Sequence, residues 1–264
     1  MKTIFSIFLY VTKNNPIFAV PYRLFLAFIF QIYKHTTGGA FTIGLFNGKQ
    51  AIVFPKCAIS SQFVYASVPD KGEIDILRGL CDENTVFLDI GANVGAYSLM
   101  LCDKAVGGVY AFEPHPFTAG RCKMNFLLNG LDERRVIGMA MSDAKGFIHF
   151  TNDTNVTAMN KITNDETNSI SVPVTTLDEW TKEMNLEANT NFIVKIDVEG
   201  FEASVLRGGA DFFANADVRG LVIEIFDEHK SVVDGLLAEY GYNIQNINGA
   251  NYLAQKGQNV RNRV

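Results

Sequence analysis

The chain has no run of about twenty apolar residues, the length a membrane-spanning helix requires. It has no C-x-x-C pair and no Cys/His set at zinc spacing. Its four cysteines, Cys57, Cys81, Cys102 and Cys122, are scattered, as expected for reduced thiols of a cytosolic protein. It also has no long basic run. The densest positive spots are Arg134–Arg135 and the Arg261/Arg263 tail, and 23 basic residues face 28 acidic ones for a net charge of -5. Phosphate backbones need clustered positive charge, so nucleic acid is excluded as the main partner. Internal repeats and low-complexity stretches are missing too. A secretory leader would want a small-x-small cleavage site after the first apolar run, and Tyr10-Val11-Thr12-Lys13 is not one.

What is present is a globular composition, 48% apolar and 19% charged, in 264 residues. Residues 1–33 are dominated by Phe, Ile, Leu and Tyr in two short runs, Ile4–Tyr10 and Leu24–Phe30. They read as one or two helices capping the domain, with peripheral membrane contact or partner docking as the alternative. Asn47-Gly48 between Phe41–Leu45 and Ala51–Phe54 signals a hairpin. Residues 1–70 are therefore expected to form a cap of helices and hairpin, and residues 71–264 a second, α/β unit.

In that unit strands and helices alternate. Strands are expected at Thr85–Asp89, Val109–Phe112, Val136–Met141, Phe192–Asp197 and Leu221–Phe226. Helices are expected at 72–80, 95–104, 116–128, 176–184, 201–207 and 229–240. Phe147–Phe150 and Ile170–Val174 read as added strands around a polar loop, 151–169. Asn243–Ile247 and Tyr252–Ala254 close the chain as a hairpin about Asn248-Gly249, leaving the last strand antiparallel. The pattern specifies a Rossmann-like α/β fold: a mostly parallel twisted sheet with helices on both faces.

The sharpest motif is Asp89-Ile90-Gly91-Ala92-Asn93-Val94-Gly95, between a strand and a helix. Gly91 and Gly95 permit a tight turn, and the helix start offers free N–H groups. A dinucleotide site wants glycine where Asn93 stands, so the motif argues against NAD. An acidic residue beside the loop suits a cationic ligand, and S-adenosylmethionine carries an ammonium and a sulfonium. Asp89 is expected to hold its amino-acid end directly or through water, Glu113 the ribose hydroxyls, and Ser142 with Asp143 to touch the adenine.

The second motif is Lys195-Ile196-Asp197-Val198-Glu199-Gly200, in a strand expected to be buried on both faces. Buried charges must pair or line a polar pocket. A Lys195–Glu224 contact between neighbouring strands is expected, with Asp197 and Glu199 at the crevice. Asp197, Glu199, Glu224 and Asp227 offer oxygens for Mg²⁺, but no tight metal-ligand motif appears, so no metal site is assigned.

Together these residues resemble the FkbM family of S-adenosylmethionine-dependent methyltransferases. The matching positions are Asp89–Gly95, Glu113-Pro114, Asn125, Thr176-Leu177-Asp178, Lys195–Gly200 with Glu202 and Leu206, and Glu224. The resemblance implies a class I methyltransferase fold and O-methylation of a sugar, glycan or polyketide-like hydroxyl. Asp197 is then the first candidate for the base, Glu199 the second and His115 a weaker one, while Lys195 tunes a neighbouring carboxylate or orients the acceptor. The rival readings are an NAD-dependent oxidoreductase and a non-catalytic nucleotide-fold scaffold.

Overall fold

A computed structural model describes residues 2–151, 169–184, 187 and 189–257. It begins with helices α1 (Lys2–Asn14) and α2 (Val20–Thr36), the hairpin β1 (Phe41–Gly44) and β2 (Gln50–Val53), and helices α3 (Ala58–Tyr65) and α4 (Lys71–Leu80). Next come β3 (Thr85–Ile90), α5 (Ala96–Leu101), β4 (Gly108–Phe112), α6 (Pro116–Leu128), β5 (Val136–Ile137), β6 (Ala140–Met141) and β7 (Gly146–Thr151). They are followed by β8 (Ser169–Thr175), α7 (Leu177–Met184), β9 (Asn191–Ile196), α8 (Glu202–Gly208) and α9 (Ala210–Asn215). The chain ends in β10 (Val218–Glu224), α10 (Asp227–Glu239), β11 (Tyr242–Asn248) and β12 (Asn251–Lys256).

Seven strands form the central sheet in the order β11-β12-β10-β9-β3-β4-β5. β10, β9, β3, β4 and β5 run parallel, and β12 is antiparallel to both its neighbours. The expected Rossmann-like fold with its antiparallel closing strand is present. One expected element is not continuous. Val136–Met141 splits at Gly138, so that β5 joins the central sheet while Ala140–Met141 pair with Val174–Thr175 of β8 in a separate three-stranded sheet. An apolar run shows that a segment is extended but not which sheet claims each half. Helices α3 and α9 were not expected either.

Side-chain alternation sorts the core into two layers. Phe87, Ala111 and Ile193 pack towards the cap helices, α5 and α6. Val86, Leu88, Ile90, Phe112, Val194 and Ile196 pack towards α7, α8 and α10. Every residue of β3, β4 and β9 is buried, as a strand covered on both faces requires. A fully buried Phe or Leu such as Phe87 or Leu88 contributes roughly 1.5–3 kcal/mol. The strand order reverses at β3, between β4 and β9, and this opens a crevice at the carboxyl ends of these strands.

Candidate active site

The crevice is a cavity lined by the loop after β3, the ends of β4 and β9, the Met139–Met141 segment, Pro69 and Asp70 just before α4, and residues of α3 and α5. The loop turns in the left-handed region at Gly91, Asn93 and Gly95 (φ 81°, 51° and 80°). Its backbone is tied to the neighbouring strand: Gly91 N and Ala92 N each donate to Phe112 O at 3.0 Å. A Cβ on Gly91 would stand 1.8 Å from the carbonyl oxygen of Asp197, so only glycine lets the β3 loop and the β9 end meet. Gly95 serves packing instead. A Cβ there would press on Cys122 Sγ at 2.8 Å, and Gly95 does not line the cavity.

The Asp89 side chain does not line the cavity. It is fully buried behind the loop, where Oδ2 accepts from Ser98 N (3.0 Å) and Ser98 Oγ (2.7 Å). Its place at the end of β3 is as expected, but its parity points it under the helix start rather than out of the sheet. Burial raises its pKa, against the opposing pull of Lys195. Ser142 and Asp143 also stand outside the cavity. The carbonyl of Ser142 lies against Gly208 of α8, and Asp143 is solvent-exposed. Met139, Ala140 and Met141 line the cavity in their place, because the break after β5 turns these residues inward.

Glu113 lines the cavity as expected. Its two oxygens accept from Asn93 N and His115 N, both at 3.0 Å, and burial pushes its carboxyl up to about 7. Asn93 lines the cavity too, its side chain bonded to Val94 N at 2.9 Å. Asn125 ties the loop to the hairpin, donating to Val94 O and accepting from Ile52 N, each at 2.8 Å.

Lys195 sits at the centre. Its Nζ lies 3.0 Å from Asp197 Oδ2, 3.1 Å from Gly91 O, 3.9 Å from Asp89 Oδ1 and 5.1 Å from the centre of the Tyr97 ring. Burial alone would lower its pKa, but the Asp197 and Asp89 charges outweigh burial and hold the ammonium charged. The expected Lys195–Glu224 contact is electrostatic only: each charge acts on the other, but among the described residues the two side chains form no ion pair. The β9–β10 register sets Lys195 opposite Val222 and Ile196 opposite Ile223, which leaves Glu224 level with Asp197. Glu224 and Asp197 hydrogen-bond to each other through their side chains. Burial and the Asp197 charge push Glu224 up to about 8, while Lys195 overcomes burial and holds Asp197 below the usual carboxylate range. The proton of this pair therefore sits on Glu224 at neutral pH, and Asp197 presents an ionised oxygen. The Asp197 side chain is 34% exposed and lines the cavity, as does Glu199, which holds a left-handed turn with φ 53°.

Sequence reasoning missed Asp70 and Tyr97. Asp70 caps the start of α4 at φ 47°, accepts from Tyr97 Oη at 3.3 Å, and has its pKa raised by burial. Both line the cavity. Nothing local marks them: Asp70 reads as a turn residue in Val68-Pro69-Asp70-Lys71-Gly72, and Tyr97 as a core aromatic of α5. The cavity thus holds Asp70, Glu113, Asp197 and Glu199 against Lys195, over apolar walls from Ile90, Phe112, Met141 and Phe150. Acidic groups beside an apolar slot suit a ligand that joins positive charge to a flat ring. S-adenosylmethionine is such a molecule, and these residues fit it. Of the loop 151–169, all but the two end residues lie outside the described residues.

A family model described as Methyltransferase FkbM domain matches residues 89–244. Among curated proteins, 2-O-methyltransferase NoeI of Sinorhizobium fredii is 32% identical over 146 residues, covering 48% of this chain and 58% of that protein. Hexuronic acid methyltransferase AglP of Haloferax volcanii is 29% identical over 161 residues, covering 59% of this chain and 63% of that protein. The chain thus spans about three fifths of the length of each relative. A SAM-dependent O-methyltransferase of Thermotoga maritima superposes with a TM-score of 0.43 at 13% identity, covering 82% of this chain and 77% of that one.

Proposed function

The chain belongs to the FkbM methyltransferase family, and from that premise we propose that it transfers a methyl group from S-adenosylmethionine to a hydroxyl of a sugar, glycan or related acceptor. The observation that carries this reading is Asp197 at the cavity wall, its Oδ2 3.0 Å from the buried Lys195 ammonium, which in turn reaches Gly91 O at 3.1 Å in the loop after β3. When bound, the cofactor supplies an electrophilic methyl on a sulfonium. Glu113 would receive its ribose hydroxyls on the lone pairs that Asn93 N and His115 N leave open. The loop around Gly91 and Asn93 would carry its amino-acid end. Asp70, Asp197 and Glu199 supply the negative field that favours a cation.

The chain's own work is positioning and proton acceptance. A sugar hydroxyl must present a lone pair while its proton is drawn off. Asp197 would accept that proton as the methyl carbon passes from sulfur to oxygen, the S–C bond breaking and a neutral thioether leaving as the C–O bond forms. Lys195 keeps Asp197 ionised beforehand and anchors it to Gly91, fixing the base relative to the loop. Glu224 keeps its own proton and donates it as a hydrogen bond to Asp197, which stops the base from turning into the sheet. Glu199 stands as the second candidate for the base. Asp89 acts behind the site by pinning the start of α5 and balancing Lys195. The unit 71–264 carries these parts, and cap residues 1–70 contribute Ile59, Gln62 and Asp70 to one wall.

Incubation with radiolabelled S-adenosylmethionine and a panel of neutral and uronic-acid oligosaccharides tests this reading. Label is expected in a methyl ether of at least one sugar. Donor binding with no label in any sugar would reject the acceptor assignment.

A further inference from the structure

Helices α1 and α2 each bury one face and leave the other open. Inward, Val11, Ala27 and Phe30 are buried, and Phe30 meets Tyr65 and Phe41 edge-on at 5.9 and 6.0 Å. Asn15 Nδ2 donates to Tyr65 O at 2.9 Å, and Arg23 donates to Phe63 O and Val64 O. The cap is therefore anchored without its outer face. That outer face is apolar at positions 4, 5, 8 and 9 of α1 and at 25, 28, 29 and 32 of α2, the spacing of one helical side. The connector between the helices adds Ile17 at 89% and Phe18 at 83% exposure. Soluble monomers rarely expose so continuous an apolar patch.

Charge identifies the occupant. No Asp or Glu occurs before Asp70, so all 28 acidic residues fall at or after it, whereas Lys2, Lys13, Arg23, Lys34, Lys49 and Lys56 precede it. A segment whose only formal charges are positive, and which bears an apolar face, repels a second copy of itself and is attracted to an anionic surface. Among the described residues no helix is long and apolar enough to cross a membrane. At 13 and 17 residues, α1 and α2 suit a position along the interface rather than through it. We propose that the outer face of α1, the connector and α2 docks on the surface of an anionic lipid bilayer.

The test is sedimentation of the full chain with phosphatidylglycerol–phosphatidylcholine vesicles and with phosphatidylcholine vesicles alone. Pelleting is expected with the anionic vesicles, weakening as salt is raised. The double variant Phe25→Glu/Phe28→Glu is expected to lower partitioning by more than about tenfold. Phe18→Glu in the connector should lower it by a smaller factor. Phe147→Glu, on an exposed strand far along the chain, should leave it unchanged. These positions are exposed, so the variants are expected to keep the parent melting temperature. No pelleting with anionic vesicles, salt-insensitive pelleting on both lipids, or a dimer in light scattering that the double variant dissolves would each overturn the proposal. None of these readouts uses methyl transfer, so they stand or fall apart from the reading of the active site.

Discussion

At the scale of single residues, the site depends on how Asp197 and Glu224 share one proton beside the Lys195 ammonium. Replacing Asp197 by Asn removes the proton acceptor and keeps the shape. Turnover is expected to fall about 10²–10⁴-fold while donor affinity stays within a few fold. Radiolabel transfer and calorimetric titration check the two halves, and unchanged turnover would reject the assignment. Glu224 and Glu113 also set a pH dependence. The folded protein raises Glu224 from 4.5 to about 8 and Glu113 to about 7, so both favour the protonated form. A raised acid adds its full stability below its unfolded pKa and loses it as pH rises through the folded one. The melting temperature is therefore expected to decline from about pH 5 to above pH 8. Glu224→Gln, which keeps a hydrogen-bond donor, should flatten the upper part of that decline. A flat or rising profile in the parent protein would contradict the shared proton. The sequence pointed to Lys195, Asp197 and Glu224 because charges inside an apolar strand demand partners. It could not say which charge pairs with which, since register between strands is a tertiary fact. Expectation set Lys195 against Glu224, and the register set Asp197 there instead.

At the scale of elements, the β3–loop–α5 unit is the part that alternation and glycine spacing made most legible. Its detail was less so: Gly91 serves the meeting of two loops, Gly95 the seating of α6, and Asp89 the start of α5. Each follows from contacts between segments distant in sequence. Gly91→Ala would place a methyl 1.8 Å from Asp197 O at φ 81°. A loss of more than about 3 kcal/mol in folding stability is expected, or a displaced loop that no longer binds the donor. Denaturant unfolding and donor titration distinguish these results, and a variant with parent stability and affinity would show that the close approach is not needed. At the start of the helix expected at 176–184, Glu179 N donates to Thr176 Oγ1 at 3.2 Å. Thr176→Ala is expected to cost about 1 kcal/mol in denaturant unfolding. The break at Gly138 was illegible, because both halves of Val136–Met141 are apolar and extended. The split matters because it brings Met139–Met141, rather than Ser142 and Asp143, to the cavity.

At the scale of the whole molecule, the fold gathers four acidic groups from three separate stretches of chain around one cavity: Asp70, Glu113, and Asp197 with Glu199. Three of the four were legible from motifs at strand ends. Asp70 was not, because only the packing of α4 against α5 brings it to the site. A cavity so charged should discriminate by ligand charge as much as by shape. Thermal unfolding with S-adenosylmethionine and, separately, with NAD tests that claim most directly. A ligand at a hundredfold excess over its Kd stabilises the native state by about 2.7 kcal/mol. For a chain of this size that raises Tm by roughly 5 °C or more. S-adenosylmethionine is expected to give this shift and NAD to leave Tm where it was. No shift with S-adenosylmethionine, or an equal shift with NAD, would contradict a carboxylate-lined site for a cationic adenosyl donor.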